Sequence, residues 1–440
     1  MKKITMVGAL VCAMFMFSGC DNSDQPSPID DNTELEDTTS VNPFEVLAPK
    51  ANWPLTDAQL SQASRMNDFA FRLFRQLQKP GESLVLSPLS VDYALGMTAL
   101  GAEGATRDSI VKALGFEPTE PQAMHDLLAS LMAYLPSVDE NVQINLANAF
   151  YLNAGRPELS PNPDYQKVLQ ESYKADCKAV KTSEQEGIDY MNGWCSKQTN
   201  GFIPKVFQEP LSDDNVCLLI NAIYFKGDWY TPFDSNETHD RDFKQENGTS
   251  VKVPTMCSNI DAKYLETDLF QAVRLPYGKL NEWGHSTTPP SSFGMTILLP
   301  CEGKTTADIL EWLTAERFAQ MEQQMTGADV VMYLPSFETN VTTDLLKAFN
   351  QMNLPFNYDE LRGLVLSNGK PRGLLLSKAY QSARIKVNEK GTEAAAVTIM
   401  DFTDGMPMNL KTFQADHPFV YLLTEQQTGA ILFVGTFHGK

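Results

Sequence analysis

The 440-residue sequence predicts an α+β domain. Apolar residues at helical spacing are concentrated in the first third of the chain, and strand-like runs fill the last half. No regular alternation of the two, as β-α-β winding would require, is present. Hydrophobic residues make up 42% of the chain, an ordinary fraction that lets a chain of this length build a large core without staples.

In chain order, residues 1–20 read MKKITMVGALVCAMFMFSGC. Lys2 and Lys3 form a basic head. Residues 4–17 are an apolar run too short to span a bilayer, the pattern of a secretory signal that is removed on export. A buried N-terminal helix is the structural alternative. Phe17-Ser18-Gly19-Cys20 resembles a bacterial lipobox, with Phe17 in place of the usual Leu, and implies that Cys20 becomes a lipidated N-terminus. Residues 1–19 are therefore expected to be a lipoprotein signal. Residues 20–50 follow as the lipidated Cys and a solvated tether: between 21 and 49 there are eight acidic residues and no Lys or Arg, too polar to offset the entropy of ordering.

From about residue 57 the body begins. Met66, Phe69, Ala70, Leu73, Phe74 and Leu77 fall at helical spacing within 57–79. Ser87-Pro88-Leu89-Ser90 starts a second helix with Ser87 as a good cap. Residues 121–138 read as a third, amphipathic helix without Lys or Arg. Strand-like runs follow at 142–152, 216–225, 270–276, 293–299, 330–335 and 383–387. Two more, at 419–423 and 430–437, are separated by a Glu425–Gly429 turn signal. Residues 278–293, rich in Gly, Pro, Ser and Thr, read as an exposed loop.

Charge and motif content exclude several functions. The chain carries 35 Lys+Arg against 55 Asp+Glu, a formal charge of −20, which argues against wrapping nucleic acid. Loss of Lys2 and Lys3 with the leader makes this −22, and the eight tether charges leave the body near −14. No H-E-x-x-H, G-x-S-x-G, Walker or dinucleotide fingerprint occurs. Cys177, Cys195, Cys217, Cys257 and Cys301 remain after Cys12 and Cys20 are set aside, with no C-x-x-C. A Cys177–Cys195 bridge is possible, Cys217 reads as a buried thiol in a strand, and no metal site or cofactor is expected.

One segment fits no packed core: KGTEAAAVTIMDFTDGMPMNL, residues 390–410. Thr392–Val397 could start a helix on a Thr cap, Gly405 and Pro407 favour a loop, and an inserted strand is equally compatible. As a strand, Thr392, Ala394, Ala396 and Thr398 would share one small-sided face able to enter a sheet without overpacking it.

At this point the chain resembles the serpin family. Glu389-Lys390-Gly391-Thr392-Glu393-Ala394-Ala395-Ala396 is similar to the family's hinge. LSPLSVDYALGMTALGAEGATRDSI (86–110) resembles its second-helix signature, NAIYFKGDWYTPF (221–233) its central-sheet strand, and ADHPFVYLLTEQQTGAILFVGTF (415–437) its closing hairpin. The resemblance implies one domain over 51–440, with helices packed around three β-sheets and an exposed reactive-centre loop at about 389–410. It implies a suicide-substrate inhibitor of serine endopeptidases, with cysteine proteases as a second target class, rather than an enzyme. A non-inhibitory serpin used for surface binding or structure is the alternative. Counted from Glu389, the reactive bond falls at Gly405–Met406. No Lys or Arg lies between Lys390 and Lys411, so elastase-like or subtilisin-like proteases suit the loop better than trypsin-like ones. The remaining expectations are a monomer anchored to a bacterial membrane, outer membrane or cell surface, with no nucleic-acid partner. Ser87, Ser90, Asn221 and Gln381 are expected to mark the sheet-opening region, where Gln381 replaces the family's usual His. Ser336 replaces a Lys that often pairs with the hinge Glu, which implies an easier loop insertion.

Overall fold

The structure, a computed structural model, describes residues 9–18, 55–140, 142–278, 291–392 and 410–440. Nine helices among the described residues surround three sheets. The helices are α1 (Asp57–Leu77), α2 (Pro88–Leu100), α3 (Gly104–Ala113), α4 (Pro121–Tyr134), α5 (Pro163–Ser172), α6 (Gln185–Gln198), α7 (Thr306–Trp312), α8 (Ala315–Gln324) and α9 (Leu346–Gln351). Helix α1 starts on a capping box in which the Thr56 hydroxyl accepts from Gln59 N–H and the Gln59 side chain accepts from Thr56 N–H. Ser87 caps α2, Pro88 takes the first turn, and every residue of that helix is buried.

The central, seven-stranded sheet runs β12 (Phe337–Asp344), β15 (Leu375–Val387), β1 (Ala9–Ser18), β6 (Asn215–Asp228), β3 (Val142–Asn153), β5 (Asp176–Val180), with β16 (Gly391–Thr392) also on β6. The nine-stranded sheet runs β17 (Lys411–Gln414), β11 (Thr326–Pro335), β8 (Ser250–Glu266), β9 (Phe270–Pro276), β10 (Phe293–Pro300), β18 (Phe419–Glu425), β19 (Ile431–Phe437), β2 (Leu84–Leu86), with β7 (His239–Lys244) beside β8. Three short strands, β14 (Lys370–Pro371), β13 (Val365–Ser367) and β4 (Leu159–Pro161), make the third sheet.

Strand β6 explains its own sequence. Cys217, Leu219, Ile223 and Phe225 enter the main core, whereas Leu218, Ile220, Ala222 and Tyr224 face a second cluster with Ile188, Met191, Trp194 and Phe207. A strand buried on both faces needs a continuous apolar run rather than an alternating one. Cys217 is the buried strand thiol expected, and burial raises its pKa. The expected alternative of a Cys177–Cys195 bridge is corrected: Cys177 is a thiol, pushed up to about 12 by burial and Asp176. The helix expected over 121–138 ends at Tyr134, and the strand expected at 383–387 begins at Leu375.

The largest departure is β1. Residues 9–18 are paired as a central strand, neither the buried helix considered for this run nor a segment apart from the body. Most of the loop expected at 278–293, and all of the tether, lie outside the described residues. Among the described residues no helix is long and apolar enough to cross a membrane, and no cluster of His, Cys, Asp and Glu is arranged to hold a metal ion.

Candidate functional site

Strand β15 delivers the chain directly to the hinge, and the hinge is bolted to the end of β6. Glu389 and Lys390 carbonyls accept from Phe233 N–H (2.7 Å) and Trp229 N–H (2.6 Å), and the Trp229 indole N–H donates to the Asn388 carbonyl (2.9 Å). Trp229 is 1% exposed and stacks on Tyr277 with ring centroids 4.7 Å apart. Tyr277 closes the arrangement with a 2.9 Å hydroxyl–hydroxyl bond to Thr392.

Only glycine fits at 391. Its φ is +147°, and a Cβ there would meet the Gly227 carbonyl oxygen at 2.2 Å. Gly391 pairs with Asp228 and Thr392 with Gly227 on β6, antiparallel, and Thr392 is fully buried. Of the three conformations open to the segment, Gly391 and Thr392 take the strand. Glu393, Ala394, Ala395, Ala396, Gly405 and Met406 lie outside the described residues, as does Cys20.

The hinge carboxylate has a partner that the local sequence does not mark. Glu389 Oε1 accepts from the Thr238 hydroxyl at 2.8 Å. Ser336 donates instead to the Val387 carbonyl at 3.2 Å, so its place beside the hinge holds a backbone contact rather than an ion pair. The Lys390 ammonium nitrogen is buried without a hydrogen bond, and burial lowers its pKa against the opposing pull of Asp228 and Glu389. Nothing in the local sequence marks Thr238 or Tyr277, which lie 151 and 115 residues from their hinge partners.

Below the hinge, the structure bonds Gln381 to Ser87, two of the four residues expected at the sheet opening, while Asn221 bonds elsewhere. Gln381, 1% exposed, grips the Ser87 backbone on both sides: Oε1 accepts from Ser87 N–H and Nε2 donates to the Ser87 carbonyl, each at 2.9 Å. A glutamine amide supplies both donor and acceptor, which one neutral imidazole orientation also offers across its two nitrogens. Asn221 donates to Asn148 Oδ1 (2.8 Å), and Asn148 donates to the Tyr173 carbonyl (2.8 Å). Asn221 Oδ1 and Ser90 Oγ are buried without a partner. Ala13 of β1 lies between Gln381 on one side and Asn221 on the other.

The same polar layer continues to His125, whose Nδ1 lies 2.5 Å from the Tyr173 hydroxyl. Complete burial lowers its pKa from 6.5 to about 4. Unfolding frees this imidazole to take a proton wherever the pH lies between those values. Stability contributed by neutral His125 is therefore full above pH 6.5 and is lost as the pH falls toward 4. Between pH 7 and pH 5 this group should cost about 2 kcal/mol. Urea unfolding of the unaltered chain and of His125→Gln at both pH values should show a difference of that size, and parallel pH profiles would refute it.

Comparison with known proteins gives the setting of these features. A family model described as Serpin (serine protease inhibitor) matches residues 64–439. Iripin-2 of Ixodes ricinus is 30% identical over 391 residues, covering 87% of this chain and 94% of its own. Serpin-Z1C of Triticum aestivum is 32% identical over 399 residues, covering 86% and 96%. Among solved structures, the thermophilic serpin tengpin in its native state superposes with a TM-score of 0.76 at 25% identity, over 89% of this chain and 97% of that one. Thyroxine-binding globulin in complex with thyroxine shares the fold, with a TM-score of 0.73 at 24% identity over 86% and 98%.

Proposed function

The chain belongs to the serpin family, and from that premise we propose that it is a suicide-substrate inhibitor of serine endopeptidases. The observation that carries this reading is the hinge itself: Gly391 and Thr392 are already paired at the head of the gap between β6 and β15. A hinge so placed continues into that gap without reversing direction, and the residues next in line, Ala394, Ala396 and Thr398, are small.

The sequence of events follows from acyl-transfer chemistry. The protease serine oxygen attacks the Gly405 carbonyl, the Gly405–Met406 bond breaks, and the amine of Met406 leaves with a proton. The protease is then esterified to the new C-terminus at Gly405. Entry of residues 393–405 as a strand would carry that ester roughly 40 Å along the sheet, at about 3.3 Å per residue. Ladder hydrogen bonds and burial of the small face drive the insertion. The dragged protease loses the geometry its deacylation step needs. The protein is consumed once and turns nothing over.

The target class is set by what the loop lacks. With no Lys or Arg from 391 to 410, an acidic specificity pocket has nothing to bind, and Gly405 suits elastase-like or subtilisin-like enzymes. Export with loss of residues 1–19, lipidation at Cys20 and a tether over 20–50 would hold the monomeric inhibitory body off a bacterial membrane surface. The test is to mix the chain beginning at Cys20 with such a protease. The expected result is an adduct that survives SDS and whose intact mass ends the inhibitor at Gly405. Complete cleavage without adduct would overturn the proposal. One observation favours a non-inhibitory state of the full chain: the gap that the loop needs is filled by β1.

A further inference from the structure

Strand β1 lies in the gap in the register that the loop itself would use. Continuing the hinge one residue at a time past Thr392, which faces Gly227, sets residue 394 opposite Phe225 on β6. Ala9 is opposite Phe225. The pairing then runs on without a break to Phe17 opposite Cys217, the partner residue 402 would take. The other flank agrees. Gly391 bridges Asn388 on the β15 side, which sets residue 395 opposite Arg384, and Leu10 is opposite Arg384. Both segments run antiparallel to both neighbours, so the leader and the inserted loop use the same backbone donors and acceptors.

The side-chain pattern also agrees. Ala9, Val11 and Ala13 occupy the register positions of Ala394, Ala396 and Thr398, so small residues recur where the loop has small residues. At one position the leader is the better occupant. Met16, 6% exposed, belongs to the apolar cluster of Leu218, Tyr224 and Trp194, where the loop would bring the carboxylate of Asp401. The Ser377 hydroxyl adds a 3.3 Å bond to the Met16 carbonyl.

We propose that residues 9–18 are an intramolecular plug for the insertion slot, so that a chain retaining its leader cannot complete inhibition and removal of the leader switches the inhibitor on. This rests on the loop-insertion reading above. Two strands cannot share one pair of ladders, so occupancy by β1 and insertion of residues 394–402 exclude each other. A precursor that fails to be exported is thereby a substrate of the proteases around it rather than their inhibitor. The partner that this slot fits is an extended apolar segment with small residues at alternate positions, and this chain supplies its own.

Hydrogen exchange and adduct formation on the full chain test the plug. Amides of residues 9–18 should be protected in the unaltered chain. Ala13→Pro removes a ladder donor from the middle of a central strand and should lower slot occupancy roughly a hundredfold. Met16→Asp, which gives the leader the loop's own side chain, should lower it less. In both variants the leader amides should exchange faster and adduct with an elastase-like protease should appear, most in Ala13→Pro, while the unaltered full chain is cleaved without adduct. Unprotected leader amides in the unaltered chain would overturn the plug, and so would equal adduct yield from all three chains. If exchange is released in Ala13→Pro and neither it nor the chain beginning at Cys20 forms adduct, the plug stands and the inhibitory reading falls.

Discussion

Thr392→Arg in the chain beginning at Cys20 should convert an inhibitor into a substrate. Thr392 is the second hinge residue in the sheet, is fully buried, and spends its hydroxyl on Tyr277. An arginine there would bring a guanidinium against the Trp229–Tyr277 stack. A buried guanidinium costs several kcal/mol, so the hinge should leave its place on β6 and insertion should fail while cleavage of the loop continues. The ratio of adduct to cleaved product should drop by a hundredfold or more, taking about 3 kcal/mol as the lower end of that cost. Gel densitometry against time reads it directly. A Thr392→Arg protein that still yields the normal share of adduct would mean that the pairing of this residue with Gly227 is not needed for insertion.

Trp229→Ala should have the second largest effect, on stability and on hinge control together. Removing a fully packed indole costs about 3–5 kcal/mol from transfer and cavity terms. Here the loss includes the stack on Tyr277 and the bond to the Asn388 carbonyl, which fixes the turn that carries Glu389 and Lys390. The urea midpoint should fall accordingly. The leaderless variant should also lose inhibitory capacity on standing faster than the unaltered protein, because the loosened hinge lets an uncleaved loop enter the sheet. Trp229→Phe separates the two contributions: it keeps a ring for Tyr277 and loses the indole donor, which is worth about 1 kcal/mol. A Trp229→Ala protein with unchanged midpoint and shelf life would remove the indole from the account of the hinge.

Much of this architecture is readable in the residues themselves. Helix α1 carries its apolar stripe and its Thr56 cap in plain sequence, and Ser87-Pro88 marks the start of α2 without ambiguity. The doubly buried β6 is written as an unbroken apolar run. The resemblance groups Gln381 with Ser87, Ser90 and Asn221; the structure bonds Gln381 to Ser87, while Asn221 donates to Asn148. Strand β8 is hard to read in the sequence because 11 of its 17 residues face outward or sit half-exposed, so Lys, Asn, Ser and Asp interrupt its pattern. The hinge partners Thr238 and Tyr277 are invisible in the local sequence because the sheet topology brings them to residues far along the chain.

Strand β1 is hidden in the sequence for a different reason. A short apolar run behind two lysines satisfies the requirements of an export signal and those of a doubly buried strand equally well, since periodicity cannot separate them. Only the sheet, with a place between β6 and β15 that ten extended residues fill, decides where such a run can sit. The same argument accounts for the loop: its small-sided alternation fits that place too, and sequence shows the fit without showing the competitor.

Thermal unfolding of the chain beginning at Cys20, before and after the loop is nicked by a catalytic amount of protease, tests loop insertion most directly. Nicking should free residues 393–405 to pair with β6 and β15, and the new ladder should raise the unfolding midpoint by on the order of 10 °C or more. An unchanged midpoint after complete nicking would contradict the account, because a loop that gains no ladder has no force with which to trap a protease.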